Sequence, residues 1–177
     1  TVVALSSLVW GHHMYTTGMS PLLVKSFMFL TLLISIPSSM FFLNWLGTLW
    51  RGSIHFNTPM LFSIGVIWVF GLGGLTGLYN ATVTADIYLH DTMFVVGHFH
   101  YTLAASVMLG SFAAIYYWFP CMFGKKLDSR LGKIHFWGSF ISLNYVFFNM
   151  MAVGYAGQHR RIYNPSEYSF LKHLSGM

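Results

Sequence analysis

The sequence predicts an all-α fold, a polytopic transmembrane helix bundle, on three observations. Of 177 residues, 55% are hydrophobic and 7% are charged, whereas soluble domains carry about a quarter charged residues. The apolar residues gather into runs long enough to cross a bilayer, which takes about 20 residues of helix. The basic residues sit mostly in the short connections between those runs, which is the pattern of membrane topology.

Residues 1–9 are apolar but too short to span, and residues 1–15 read as the tail of a helix that begins elsewhere. They show no basic leader or cleavage site, so no signal peptide is visible. Residues 21–49 make the first full span, with Pro37 inside it. Residues 60–80 make the second, and its Gly71, Gly73, Gly74 and Gly77 allow close approach of a neighbouring helix or ring. Residues 87–119 make a third, unusually long, carrying His90, Asp91, His98 and His100. Residues 133–156 make the fourth, and 157–177 form a polar interfacial tail. The chain 1–177 reads as a single membrane domain without internal repeats.

Arg51 lies between the first and second spans, and Lys125, Lys126, Arg130 and Lys133 lie between the third and fourth. If every span crosses once, both connections share one side, which the positive-inside rule assigns to cytoplasm or matrix. Topology therefore accounts for most of the net charge of +5, and nucleic acid is not expected as a partner. His12, His13, His90, Asp91, Arg160 and Arg161 then lie toward the opposite face, which suggests a built site.

The chemistry rests on histidine. One cysteine, Cys121, excludes an intrachain disulfide and a cysteine metal cluster. In the run His98-Phe99-His100 the two imidazoles are two residues apart, roughly 200° around an α-helix. They face nearly opposite flanks and suit two separate metal centres rather than one. Imidazole is a normal axial ligand of haem iron, and two haems beside one helix make a short electron route. The alternative is that each histidine simply hydrogen-bonds a neighbouring helix.

His12 and His13 are adjacent, about 100° apart on a helix, and lean toward one ion more easily where the helix frays. Imidazole suits copper, but a third ligand must come from elsewhere; headgroup contact is the alternative. Arg160 and Arg161 suit carboxylates such as haem propionates, or lipid phosphates. His90 and Asp91 offer one nitrogen and one oxygen to a hard or borderline cation, or Asp91 caps a helix start. His55, His135, His159 and His173 receive no ligand role. Asn144 in the fourth span wants a hydrogen-bond partner that the sequence does not name.

Several runs carry a family resemblance. They are Trp10-Gly11-His12-His13-Met14-Tyr15-Thr16-Thr17-Gly18, Gly73-Gly74-Leu75-Thr76-Gly77, His90-Asp91-Thr92 through His98-Phe99-His100-Tyr101, Lys133-Ile134-His135-Phe136, and Arg160-Arg161. In this order the chain resembles subunit I of the haem–copper terminal oxidases, of the cytochrome c oxidase type. The resemblance implies roles residue by residue. His12 and His13 are two of three ligands of the active-site copper. His98 is the axial ligand of the high-spin haem and His100 one axial ligand of the low-spin haem. His90 and Asp91 bind magnesium or manganese, and Arg160 and Arg161 contact haem propionates. It implies reduction of oxygen to water with electrons from cytochrome c or quinol, proton pumping, and a bacterial plasma or mitochondrial inner membrane.

The family subunit has twelve spans, and this chain matches the tail of the seventh and the eighth to eleventh. The third copper histidine, its cross-linked tyrosine, the second low-spin haem ligand and the main acidic proton-entry residue belong to earlier spans. The resemblance therefore implies a partner: the N-terminal part of subunit I, as a separate chain or missing segment, with subunit II, other oxidase subunits and membrane lipid. Phe41 stands where the commonest branch has a proton-uptake lysine, and Asn149-Met150-Met151 replaces a common Pro-Gln-His run. The competing readings are a two-haem electron-transfer cytochrome, a nitric oxide reductase variant, and a degenerate structural subunit without oxygen chemistry.

Overall fold

The structure is a computed structural model that describes residues 2–162; Thr1 and residues 163–177, with His173 and most of the expected interfacial tail, lie outside the described residues. It begins with α1 (Val2–Ser6) and a separate 3-10 turn, Trp10–His13. The expected helix tail over 1–15 is therefore two short pieces. The turn is held against the next helix, because a Cβ at Gly11 would collide with the Phe27 ring.

The first span, Pro21–Leu49, is 29 residues long. It divides into α2 (Pro21–Leu33) and α3 (Ser35–Leu49) at Ile34. Pro37 lacks the N–H that would bond the Leu33 carbonyl, which loosens the ladder there. The hydroxyls of Ser35 and Ser38 bond the carbonyls of Leu32 and Ile34 at 2.6 and 2.9 Å. Backbone carbonyls at membrane depth need such partners.

The second span is α4 (Thr58–Ala81), started by Asn57, whose side-chain oxygen accepts from the Met60 N–H at 3.0 Å. The third differs from the sequence reading. Residues 83–89 form a separate helix, α5 (Val83–Leu89), and the span itself runs Met93–Phe123. The break lies at His90–Thr92. Asp91 sits at φ 56°, a left-handed conformation that Asp tolerates better than most residues. Thr92, not Asp91, is the cap of the following helix, its hydroxyl accepting from the Phe94 N–H at 3.3 Å.

The third span is not uniform: α6 (Met93–Phe99) passes into a π-helical segment, His100–Ala105, and then into α7 (Ser106–Phe123). Helix α7 ends at Gly124, φ 66°. The fourth span is α8 (Ser129–Tyr155), capped by Asp128, whose carboxylate accepts from the N–H groups of Arg130 and Leu131 at 2.8 Å. Among the described residues there is no strand, only an isolated bridge between Thr92 and His159.

The core lies between α4, α7 and the α6–α8 pair, and is built from Phe62, Val69, Tyr101, Ala105, Leu109, Phe136, Phe147 and Met151. Helices α6 and α8 approach closely because glycines face across them. A Cβ at Gly97 would stand 2.5 Å from Met151 Cγ, and one at Gly154 would strike the Phe94 backbone. The outer faces carry exposed Trp68, Trp118, Ile134 and Phe148, surface suited to lipid or to partner helices.

Contacts fix the direction of the spans. Tyr15 donates to the Ala81 carbonyl at 3.2 Å, the Met93 N–H bonds the Gln158 carbonyl at 2.9 Å, and the Arg160 N–H bonds the Asp91 carbonyl at 2.8 Å. The 3-10 turn, the end of α4, the start of α6 and the end of α8 thus share one end. Tyr116 pairs with His135 at 3.1 Å, and Gly132 packs on Thr58, at the other end. That second end carries Arg51, Lys125, Lys126, Arg130 and Lys133.

Candidate functional site

A cavity of about 1130 Å³ opens between the 3-10 turn, α2–α3, α4 and α6. That exceeds an ordinary small-molecule pocket of about 300–1,000 Å³. His12, His13, His98, His90, Asp91 and Arg160 all line it. Five of the six residues expected toward one face line this cavity, joined by His98. Arg161, next to Arg160 at the same end of the bundle, is exposed at φ 64° and stands outside the lining.

The 3-10 turn aims His12 and His13 at each other, their Nε2 atoms 2.9 Å apart. Imidazole nitrogens bind metals such as zinc at about 2.0–2.1 Å, so two neighbouring ligands of one ion stand roughly 3 Å apart. The pair fits an ion. The proton positions follow from the partners. Thr31 donates its hydroxyl to the Phe27 carbonyl at 2.6 Å, so at 3.2 Å it accepts from His12 Nδ1. His12 then carries its proton on Nδ1 and presents a bare Nε2. Burial first, then the neighbouring His13 and His98, pull the His12 pKa down to about 4, so its ring is neutral near pH 7. Burial, Arg160 and His90 lower that of His13.

His98 and His100 are prepared in the same way. His98 Nδ1 lies 3.0 Å from the Gly73 carbonyl and 3.1 Å from Thr76 Oγ1, whose own hydrogen goes to the carbonyls of Gly73 and Leu72. Both partners accept, so the proton is on Nδ1 and Nε2 keeps its lone pair. This second layer of bonds is what orients metal-bound histidines and raises their basicity. His100 Nδ1 donates to the Val96 carbonyl at 2.8 Å, again leaving Nε2 bare. His98 lines the cavity; His100 does not, and its ring rests on Phe147, centroids 5.0 Å apart. The two imidazoles serve different flanks, as the spacing predicts.

Helix α4 supplies a small-residue wall. Gly71, Gly74 and Gly77 face the cavity. A Cβ at Gly77 would stand 3.0 Å from the His98 ring, while one at Gly74 would enter open space. A flat macrocycle beside His98 would fit this glycine face, which Phe70, Leu75 and Leu78 of the same helix flank. At the polar end Arg160 pairs with the Asp91 carboxylate, and its Nε is buried without a hydrogen-bond partner. A buried unpaired N–H invites an acceptor, such as a propionate.

His90 lies between two carboxylates, with Nδ1 3.5 Å from Asp86 and Nε2 3.8 Å from Asp91. The sequence reading missed Asp86, although its i,i+4 spacing to His90 was available as a signal. Burial raises the Asp86 pKa. Asn80, which also lines the cavity, and Thr31 carried no sequence signal. Among the described residues no three His, Cys, Asp or Glu side chains group as a metal site. Completing one needs a ligand from outside them.

Comparison with known proteins decides what this arrangement belongs to. The sequence profile described as "Cytochrome C and Quinol oxidase polypeptide I" matches residues 1–177. The chain belongs to this oxidase polypeptide I family. It is 48% identical over 157 residues to a protein named cytochrome c oxidase subunit 1 of Corynebacterium diphtheriae, covering 89% of this chain and 28% of that one. A probable cytochrome c oxidase subunit 1-beta of Nocardia farcinica is 45% identical over 168 residues, 94% of this chain and 28% of its own. Cytochrome c oxidase polypeptide 1 of Halobacterium salinarum is 45% identical over 157 residues, 89% of this chain and 26% of its own. The chain thus spans about 28% of the length of such relatives and represents part of an oxidase subunit I. A solved haem–copper terminal oxidase dimer superposes with TM-score 0.76 at 20% identity, over 94% of this chain and 35% of that one. This likeness shows the shared all-helical fold.

Proposed function

We propose that this chain carries part of the oxygen-reducing centre of a haem–copper oxidase, turning oxygen into water with electrons from cytochrome c or quinol. One observation carries the reading. His12, His13 and His98 line one cavity, and His100 turns a bare Nε2 to the other flank of the same span.

His12 and His13 hold the copper, with a third ligand from an earlier span of the same subunit. His98 holds the high-spin haem and His100 the low-spin haem, whose other ligand also comes from an earlier span. When bound, the haems supply electron transfer and, with the copper, oxygen reduction. The protein's part is placement. Thr31, Thr76 and the Gly73 and Val96 carbonyls hold each imidazole on its Nδ1 side. Covalent continuity through Phe99 fixes the spacing of the two haem ligands. Arg160 offers its remaining N–H to a propionate, and Arg161 is proposed for the same group. The pair His90 and Asp91 is assigned to magnesium or manganese. Subunit II, other oxidase subunits and lipid are the expected surroundings, in a bacterial plasma or mitochondrial inner membrane. Proton pumping belongs to the same reading, but Phe41, half exposed and outside the cavity lining, offers no protonatable group for the usual lysine route.

The deciding experiment is a carbon monoxide difference spectrum of the assembled, reduced oxidase, combined with metal analysis. A five-coordinate haem shifts its bands; a complex that shows no shift is an electron-transfer cytochrome or a structural relic. His12→Ala is expected to remove copper and oxygen uptake while both haems stay, read by metal analysis beside the haem spectrum. Copper at wild-type content would remove His12 from the site. Arg160→Ala is expected to shift the low-spin haem potential modestly in a redox titration. An unchanged titration would contradict the propionate contact.

A further inference from the structure

Tyr101 directly follows His100 and is almost fully buried, 1% exposed. Its hydroxyl reaches the carbonyl and the side-chain oxygen of Asn144 in α8, each at 3.3 Å. Asn144 is itself held: its side-chain N–H donates to the Phe140 carbonyl at 2.8 Å, and Trp68 Nε1 donates to its oxygen at 3.3 Å. The partner that Asn144 wanted is therefore a pair of ring donors from two other spans.

The location matters because residues 100–105 are π-helical. Such a segment carries one residue more per turn than the α-ladder needs, is rare, and is frequent at functional sites. Left alone, it gains by reverting to α geometry, which would rotate His100 relative to His98. Ser106 donates to the Tyr101 carbonyl at 3.0 Å, across the wide turn. The α8 residues at i, i+3 and i+7 from Asn144 form one stripe on this segment. Asn144 holds Tyr101, Phe147 supports the His100 ring, and Met151 meets Gly97.

We propose that Tyr101 and Asn144 are positioning residues that lock the π-helical turn and so set the angle of the His100 imidazole toward its haem. This rests on the reading of His100 as the low-spin haem ligand. The hydroxyl touches neither metal nor haem ligand; it acts through the backbone that carries His100.

The test uses the assembled, membrane-extracted oxidase. Tyr101→Phe keeps the ring and its packing but removes the hydroxyl. It is expected to shift the absorption band and the midpoint potential of the low-spin haem while haem content and the carbon monoxide response of the other haem stay. The double variant Tyr101→Phe/Asn144→Leu should shift the potential no further than Tyr101→Phe alone, because that change already removes both contacts, whereas Asn144→Leu removes only the side-chain one and keeps the carbonyl. Trp68→Phe keeps the Tyr101 bond and should leave the band in place. A Tyr101→Phe enzyme with wild-type band and potential overturns the positioning role while leaving the ligand reading intact. Retention of the low-spin haem in His100→Ala overturns both. If Tyr101→Phe fails to assemble, Asn144→Leu carries the measurement for the side-chain contact: a smaller shift in the same direction is expected, and a wild-type band and potential overturn the positioning role of the Asn144 side chain.

Discussion

His98→Ala is expected to abolish oxygen uptake and the carbon monoxide response while the low-spin haem spectrum survives. The imidazole is the only side chain of a metal-binding type that α6 turns into the cavity among the described residues, and both its Nδ1 contacts are acceptors that leave Nε2 bare for the proposed haem. Altering supporting groups of this kind costs about 10–100-fold in metal affinity or activity, so removing the ligand exceeds that and leaves background turnover. His100 keeps its bond to the Val96 carbonyl and its seat on Phe147, which is why the second haem is spared. Sustained oxygen uptake by the variant would refute the assignment. Loss of both haem signals would show that the two flanks are not separable as the geometry requires.

Gly154→Ala is expected to be the most damaging small substitution in the bundle. An added Cβ would enter the backbone of Phe94, where no side-chain rotation relieves it. Overpacking that side chains absorb costs about 1–3 kcal/mol; a backbone obstacle forces α6 and α8 apart and reaches or exceeds the upper end. Gly97→Ala is milder, since Met151 flexes, although the Phe147 carbonyl stands 3.0 Å from the new atom. Because α6 carries His98, the same separation drags the proposed haem ligand from α4. Thermal loss of helical circular dichroism in detergent, followed beside haem content, measures both effects. A Gly154→Ala complex melting with the wild type would disprove the close approach.

Much of the fold was legible because lipid imposes a crude rule. Apolar runs of the right length in 21–49, 60–80 and 133–156 announce helices whatever packs beside them, and the described spans begin and end within a few residues of those limits. The third span was misjudged at its start. Residues 83–92 are apolar enough to read on from 87, and only the contacts of Asp91, Thr92 and Arg160 show the chain breaking and turning there. The π-helical turn left no mark in hydrophobic periodicity, and the contact from Tyr101 in it reaches Asn144, 43 residues away.

By itself the sequence determined the helical bundle with spans of membrane length and the opposite flanks of His98 and His100, since each follows from span length or the angle between residues on one helix. Only the tertiary structure decided that His12 and His13 share a cavity with His98, that Asp86 joins His90, and that Arg161 stays outside. The first and last are relations between segments distant in the chain, set by which glycines let helices close and which hydroxyls fix each ring, and no local pattern encodes them; the Asp86–His90 contact is local, and its i,i+4 spacing was there to be read.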